Sequence, residues 1–256
     1  MKKIVFFDID GTLLDHNKKL PDSTKVAIEQ LQNNGIYTAI ATGRGPFMVY
    51  PILKELKMDA FVSYNGQLAV YKDDIVFKNP LSTLKLEKLE EVTRSFKHSL
   101  VYMGMDRMYS NIEYDERIAQ SVGTLQINHP EFLPDYYQTN DIFQTLLFVK
   151  ENEEEYLQQF AADFEFVRWH DLAIDILPKG GSKAAGITQL INKLDFKMED
   201  VYAFGDGLND IEMLRAVGTG VAMGNALDEV KSHADVVTDH VDQDGILKGL
   251  KAIGLL

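Results

Sequence analysis

The chain opens on an apolar run, Ile4-Val5-Phe6-Phe7, that ends at two carboxylates, Asp8 and Asp10. Consecutive apolar residues that stop at a turn signal read as a buried strand. The period then changes. Val26, Ile28 and Leu31 recur at helical spacing over about Pro21 to Gln32, with Asp22 or Ser23 as the expected cap and Asn33-Asn34-Gly35 as the stop. A strand over Ile36 to Ala41 delivers Thr42-Gly43-Arg44-Gly45, a helix over about Pro46 to Leu56 follows, and Ala60-Phe61-Val62-Ser63 reads as a third strand. After the turn Tyr64-Asn65-Gly66-Gln67, the alternating runs Leu68-Tyr71 and Ile75-Phe77 predict a hairpin beside a parallel sheet.

From about Leu81 the rhythm alters. A charged helix (Leu84 to Phe96), strands near Ser99-Met103 and Met108-Asn111, and an irregular stretch with His129-Pro130 and Pro134 come first. Strand Thr145-Lys150, an acidic helix (Glu151 to Ala162) and strands near Glu165-Trp169 and Ala173-Leu177 complete the segment. Helices on one side of a largely antiparallel sheet make an α+β unit, distinct from what precedes it. Glu153-Glu154-Glu155 reads as the solvated face of its helix. Tyr102, Met103, Met105 and Tyr109, with Arg107 among them and Trp169-His170 further on, read as packing of that unit rather than substrate contacts.

After Pro178-Lys179-Gly180-Gly181 the βα alternation resumes. Ser182 caps a helix from Lys183 to about Leu194, and strand Val201-Phe204 ends at Gly205-Asp206-Gly207-Leu208-Asn209-Asp210. A helix from Asn209 to Ala216 and strands Gly220-Ala222 and Val236-Thr238 follow. The expected fold is α/β: a parallel-sheet core of residues 1–80 and 183–256, interrupted by an inserted unit at 81–182.

Composition narrows the function classes. At 256 residues, 45% apolar and 25% charged, the chain is long enough to bury a sizeable core. Cysteine is absent, which excludes disulfides, thiolate metal ligands and a cysteine nucleophile and fits a reducing compartment. Asp8 and Asp10 interrupt the N-terminal apolar run before a signal-peptide core is complete, and no apolar stretch is long enough to cross a bilayer. A cytoplasmic location is therefore expected. The net charge of −13 opposes nucleic acid and anionic membranes as partners. A small anionic substrate stays compatible, because a bound divalent ion and one lysine reverse the field locally. His16, His98, His129, His170, His233 and His240 lack metal-ligand spacing and read as surface or loop residues. Oligomeric state is not written in the chain.

Side chains in a strand repeat every two residues, so Asp8 and Asp10 are expected to leave the backbone on one side, where they can converge on one ligand. Gly11 permits a tight turn, and Thr12 sets a hydroxyl beside it. In an open parallel sheet the strand carboxyl ends share one edge, where ligands bind. Asp8, Asp10, Thr42, Gly43, Lys183, Asp206, Asn209 and Asp210 are thus expected around one pocket. A lysine at a helix start opposes the helix dipole, so Lys183 calls for an anionic partner. Thr42 also fits a plain strand end, Asn209-Asp210 a helix cap, and Arg44 either a substrate contact or a surface charge beside an acid. Phosphoryl transfer needs an ionised nucleophile, shielding of the dianion, donors for the equatorial oxygens and a proton for the leaving group. This set offers a candidate for each, and its oxygen ligands suit magnesium.

Asp8-Ile9-Asp10-Gly11-Thr12, Thr42 in Ala41-Thr42-Gly43-Arg44, Lys183 and Gly205-Asp206-Gly207-Leu208-Asn209-Asp210 together resemble the four motifs of the haloacid dehalogenase superfamily of phosphatases. The Tyr64-Asn65-Gly66 turn, the place of the insert and the length resemble its Cof-type subgroup. That resemblance implies a Rossmann-like core with a mobile cap that reads the leaving group. It implies Asp8 as nucleophile and magnesium ligand, and Asp10 as the group that protonates the departing alkoxide and later activates water. It further implies magnesium held by Asp8, the Asp10 carbonyl and Asp206 with Asp210 in support, and phosphoryl oxygens held by Ile9, Thr42, Gly43, Lys183 and Asn209. On this reading Asp8 is anionic, while neighbouring carboxylates keep Asp10 protonated. The expected activity is magnesium-dependent hydrolysis of small phosphorylated metabolites, either sugar phosphates or cofactors such as flavin mononucleotide and pyridoxal phosphate. A phosphosugar mutase and a non-catalytic phosphometabolite sensor are the alternatives; the intact Asp8/Asp10 pair argues against the sensor.

Overall fold

The computed structural model describes residues 2–125 and 127–256, and they form two compact units. The larger comprises the chain up to Arg44, Met48–Lys78 and Ser182–Leu256; the smaller comprises Gly45–Phe47 and Asn79–Gly181.

The first part of the chain supplies β1 (Ile4–Phe7), α1 (Asp22–Asn33), β2 (Tyr37–Ala41), α2 (Pro46–Leu56), β3 (Ala60–Ser63), β4 (Leu68–Tyr71) and β5 (Asp74–Lys78). Every residue of β1 is buried, as befits a parallel strand covered on both faces. β1 pairs parallel with β2 and β2 with β3, while β4 and β5 return antiparallel as the expected hairpin. α1 departs from expectation in two details. Its N-cap is Pro21, in extended conformation and without a side-chain cap bond, because Asp22 already lies in the first turn. Its buried face is Thr24, Ala27, Ile28 and Leu31, whereas Val26 is 49% exposed.

The smaller unit supplies α3 (Thr83–Ser95), β6 (Ser99–Met103), β7 (Met108–Ser110), α4 (Glu116–Gly123), β8 (Glu131–Phe132), α5 (Tyr136–Thr139), β9 (Gln144–Phe148), β10 (Phe164–His170) and β11 (Ala173–Pro178). Among the described residues its strands run β10-β11-β9-β6-β7-β8, antiparallel except for β7 with β8. The stretch expected to be irregular holds α4 and α5. Asp115 caps α4 by accepting from the Arg117 amide, and Ile118, Ser121 and Val122 are its buried face. The expected acidic helix is instead two 3-10 turns, Glu151–Glu153 and Glu155–Phe160. Its glutamates are not simply solvated: Arg117 binds Glu153 at 2.8 Å, and Arg168 binds Glu154. His98 is likewise not a surface residue, for it is buried, stacks on Tyr156 and hydrogen-bonds the hydroxyl of that tyrosine at 2.8 Å.

The chain then adds α6 (Lys183–Lys193), β12 (Val201–Gly205), α7 (Ile211–Ala216), β13 (Thr219–Ala222), α8 (Asp228–Lys231), β14 (Val236–Val237) and α9 (Gly245–Ala252) to the larger unit. A 3-10 turn, Leu208–Asp210, precedes α7 where one continuous helix was expected. The larger unit's described strands form one sheet in the order β14-β13-β12-β1-β2-β3-β4-β5. β1 therefore lies between β12 and β2, parallel to both. α8 and α9 were not expected; each offers too few apolar repeats to stand out by period. Among the described residues, no helix is long and apolar enough to cross a membrane.

Candidate active site

β1 and β12 run side by side in register, Phe7 opposite Phe204, and the Asp8 amide continues the ladder by donating to the Phe204 carbonyl at 3.0 Å. Both strands end at the same edge, so the acids that follow them meet. Asp8, Asp206 and Asp210 each present a carboxylate oxygen, and these atoms all lie within 4.8 Å of one another. The loop after Asp8 approaches this group closely: Gly11 adopts φ +80°, and a Cβ there would lie 2.2 Å from Asp206 Oδ2. Only glycine satisfies both conditions. Thr12 donates its hydroxyl to Asp206 Oδ1 at 3.0 Å.

Lys183 enters from the first turn of α6. Its Nζ donates to Asp8 Oδ1 and to Asp210 Oδ1, each at 2.6 Å, with the side chain fully buried. These are the anions that its place against the helix dipole called for. Ser182 caps α6 by accepting from the Ala185 amide at 3.3 Å. The same turn packs against Tyr64-Asn65-Gly66: a Cβ on Gly66 would lie 1.9 Å from the Ser182 carbonyl oxygen, and one on Gly186 would lie 2.7 Å from Gly66 Cα. Asp210 Oδ2 accepts from the amides of Asp206 and Gly207 at 3.0 and 2.9 Å, which fixes the loop after β12.

Thr42, Gly43 and Asn209 form a second group. Thr42 is 1% exposed; its hydroxyl oxygen accepts from the Arg44 amide at 3.1 Å and its carbonyl from the Asn65 amide at 3.0 Å. Asn65 Oδ1 also accepts from Asn209 Nδ2 at 3.0 Å, and a Cβ on Gly43 would lie 3.1 Å from Asn65 Nδ2. Asn65 thus joins the turn after β2 to the turn after β12. The Ile9 side chain is fully buried, and its carbonyl accepts from the Leu14 amide at 2.8 Å.

Asp10 departs from expectation. Arg44 grips its carboxylate in bidentate fashion, Nε to Oδ2 at 2.8 Å and Nη2 to Oδ1 at 2.7 Å, while Lys18 Nζ reaches Oδ1 at 2.6 Å. Arg44 is therefore a charge paired with an acid, and the acid is Asp10. Burial raises the Asp10 carboxyl, but the hydrogen bonds and charges of Arg44 and Lys18 outweigh it and leave the group below the ordinary carboxylate value. Asp8 goes the other way: burial, reinforced by Asp210 and Asp206 and opposed by Lys183, pushes it up to about 7. Burial, with Asp210 and Asp10 adding and Thr12 and Lys183 opposing, pushes Asp206 up to about 6. The expectation paired a magnesium-bound, charged Asp8 with a protonated Asp10; from the chain's own groups alone, Asp10 lies below and Asp8 above the ordinary carboxylate value, because two cations from elsewhere in the chain meet Asp10 while Asp8 is buried. For Lys183, burial works against the charge, yet Asp210 and Asp8 hold the ammonium above its ordinary value.

Sequence reasoning passed over Asn225. Its Nδ2 lies 3.1 Å from Asp206 Oδ2 and 2.8 Å from the Gly11 carbonyl, and its Oδ1 accepts from the Val241 amide at 3.0 Å. The available signal was position, since Asn225 follows the carboxyl end of β13 on the edge that collects the acids. In their ionised forms, three carboxylates and one ammonium leave two negative charges among oxygen donors, a set that fits a hard divalent cation.

The family of haloacid dehalogenase-like hydrolases matches residues 5–250. A putative phosphatase of Bacillus subtilis, YkrA, is 46% identical over 99% of this chain and 98% of its own length. The pyridoxal phosphate phosphatase YbhA of Escherichia coli is 29% identical over 95% and 96%. A crystal structure of a hypothetical protein from Geobacillus kaustophilus superposes with a TM-score of 0.98 at 51% identity, covering both chains fully. The subclass IIB sugar phosphatase BT4131 superposes with a TM-score of 0.85 at 29% identity, again over the whole of both chains. The four motif positions, their convergence at one sheet edge and these likenesses agree: the chain belongs to the haloacid dehalogenase-like hydrolases, on the phosphatase branch of that family.

Proposed function

We propose that the protein is a magnesium-dependent phosphatase that hydrolyses small phosphomonoesters by way of an aspartyl phosphate on Asp8. The observation that carries this reading is the meeting of Asp8, Asp206 and Asp210 within 4.8 Å, with Lys183 bonded to two of them. A carboxylate oxygen of Asp8, kept ionised by Lys183 and by the cation the site would hold, attacks phosphorus as the ester P–O bond breaks; Asp10, which must first take up a proton from solvent against the pull of Lys18 and Arg44, delivers it to the departing alkoxide. Asp10 then takes a proton from water, which attacks the aspartyl phosphate, frees inorganic phosphate and restores Asp8. Lys183 holds Asp8 in line while Thr42, the Gly43 amide, the Ile9 peptide and Asn209 receive the phosphoryl oxygens. Magnesium, held by Asp8, Asp206 and the Asp10 carbonyl with Asp210 in support, would offset the repulsion between nucleophile and phosphoryl group.

The substrates on this reading are small phosphorylated metabolites: sugar phosphates, or phosphorylated cofactors such as pyridoxal phosphate or flavin mononucleotide. The existence of BT4131, a sugar phosphatase, and YbhA, a pyridoxal phosphate phosphatase, among the relatives supports that class. The inserted unit, residues 81–182 as read from the sequence, would serve as the cap that selects the leaving group.

A panel of phosphomonoesters assayed for phosphate release, with magnesium and with a chelator, tests the proposal. Magnesium-dependent release is expected, abolished by Asp8→Asn and strongly slowed by Asp10→Asn with metal binding largely kept. Isomer formation without release would favour a mutase, and binding without either reaction would overturn the enzyme reading.

A further inference from the structure

Lys18 lies outside the four motif stretches and Arg44 closes the second of them without an assigned role there, yet both bind Asp10. Each is placed by its backbone. The turn that carries Lys18 is closed by Asp15, whose amide donates to the Lys19 carbonyl at 2.8 Å and whose carboxylate accepts from the amides of Asn17 and Lys19 at 2.8 Å. Lys18 itself sits at φ +59°, a left-handed conformation that costs a lysine free energy, with its side chain turned onto Asp10. Arg44 is pinned at both backbone ends: its amide bonds Thr42 Oγ1 at 3.1 Å, and its carbonyl accepts from Ser63 Oγ at 2.6 Å and the Tyr64 amide at 3.2 Å.

The charges do not cancel. Asp8, Asp206 and Asp210 against Lys183 leave two negative charges, which a divalent cation balances. Asp10 against Lys18 and Arg44 leaves one positive charge in surplus, in a chain whose net charge is −13. On the proposed function, on which this inference rests, Asp10 touches the bridging oxygen, so both cations flank the leaving group and not the far phosphoryl oxygens. Lys18 is half exposed, while Arg44 is largely covered.

We infer that the preferred substrates bear a second anionic group close to the ester carbon, and that Lys18, backed by Arg44, receives it. An arriving carboxylate or phosphate takes the ammonium from Asp10 and satisfies the surplus charge. An ester whose leaving group is an uncharged polyol offers that charge no partner beyond the phosphoryl group itself. Lys18 is on this account a specificity residue, and its effect depends on the leaving group.

The matched esters 2-phosphoglycerate and glycerol 2-phosphate differ only by a carboxylate in place of a hydroxymethyl group. The native protein is expected to favour the first by roughly two- to fivefold in kcat/KM, the upper part of the range for a partly exposed charge contact. Lys18→Gln should bring that ratio towards one, and Lys18→Arg should restore it. A native ratio of one or below, or a ratio that Lys18→Gln leaves in place, overturns the inference. An equal loss on both esters would also overturn it, since the cations would then serve the transferred phosphoryl group. If neither ester is hydrolysed, the ratio of the two dissociation constants, measured by calorimetry in the same variants, decides the charge preference, while the phosphatase reading stands or falls separately on the wider panel of phosphomonoesters.

Discussion

The Lys183 ammonium lies 2.6 Å from Asp8 Oδ1, both groups withdrawn from solvent, so the candidate nucleophile is held by a charge that the fold cannot easily surrender. A buried ion pair contributes little against an apolar isostere, but removing one partner strands the other. Lys183→Met would strand both Asp8 and Asp210. The variant should lose roughly 3–5 kcal/mol in urea unfolding. Phosphate release should fall below detection, and Lys183→Arg, with its bulkier planar head, should not restore it.

Asn225 bridges Asp206 and the Gly11 carbonyl, and so orients a candidate metal ligand without being one. Partners of this kind tune metal affinity by about 10- to 100-fold. Asn225→Ala should weaken magnesium binding by that order in a calorimetric titration, and saturating magnesium should recover most of the turnover. Asp206→Asn should not recover.

Gly66 has φ +96°, and a Cβ on it would lie 1.9 Å from the Ser182 carbonyl oxygen. Gly66→Ala must therefore push the start of α6 away, and Lys183 with it. Loss of stability and activity together is expected, with thermal unfolding and phosphate release as the readouts. Gly35→Ala shares the positive φ but meets nothing within 4 Å, and should cost only the backbone strain of about 1–2 kcal/mol.

Asp8 and Asp206 are raised to about 7 and about 6 in the fold, against ordinary values near 3.8. Between these limits the folded protein holds more protons than the unfolded chain, so stability falls as pH rises from about 4 to about 7 and then levels. Denaturant midpoints of chelated protein across that range should decline. Magnesium favours the ionised carboxylates and should reverse the decline. Binding near pH 6 should also release protons, measurable as an enthalpy that varies with the ionisation heat of the buffer.

Much of the fold is legible in the chain because strand and helix periods are local. The apolar run Ile4–Phe7 had to be a strand covered on both faces, and Val201–Phe204, buried but for a partly exposed Tyr202, is nearly so. Short elements escaped for the same reason: α4 offers only eight residues, and the glutamates before Phe160 answer to Arg117 and Arg168 rather than to helical period. The meeting of Asp8 with Asp206 was also legible, since parallel strands end at one edge. Asn225 was not, because a lone asparagine after a strand has many uses.

By itself, then, the sequence determined which residues form strands, which acids follow their carboxyl ends and which lysine opens a helix against its dipole, because backbone geometry and burial repeat over a few residues. The tertiary structure alone decided charge. Asp10 is a carboxylate held by Lys18 and Arg44, and Asp8 is the acid pushed upward, because protonation depends on which side chains meet and how much water is excluded. Those meetings span 8 to 175 positions along the chain, beyond the reach of any local period.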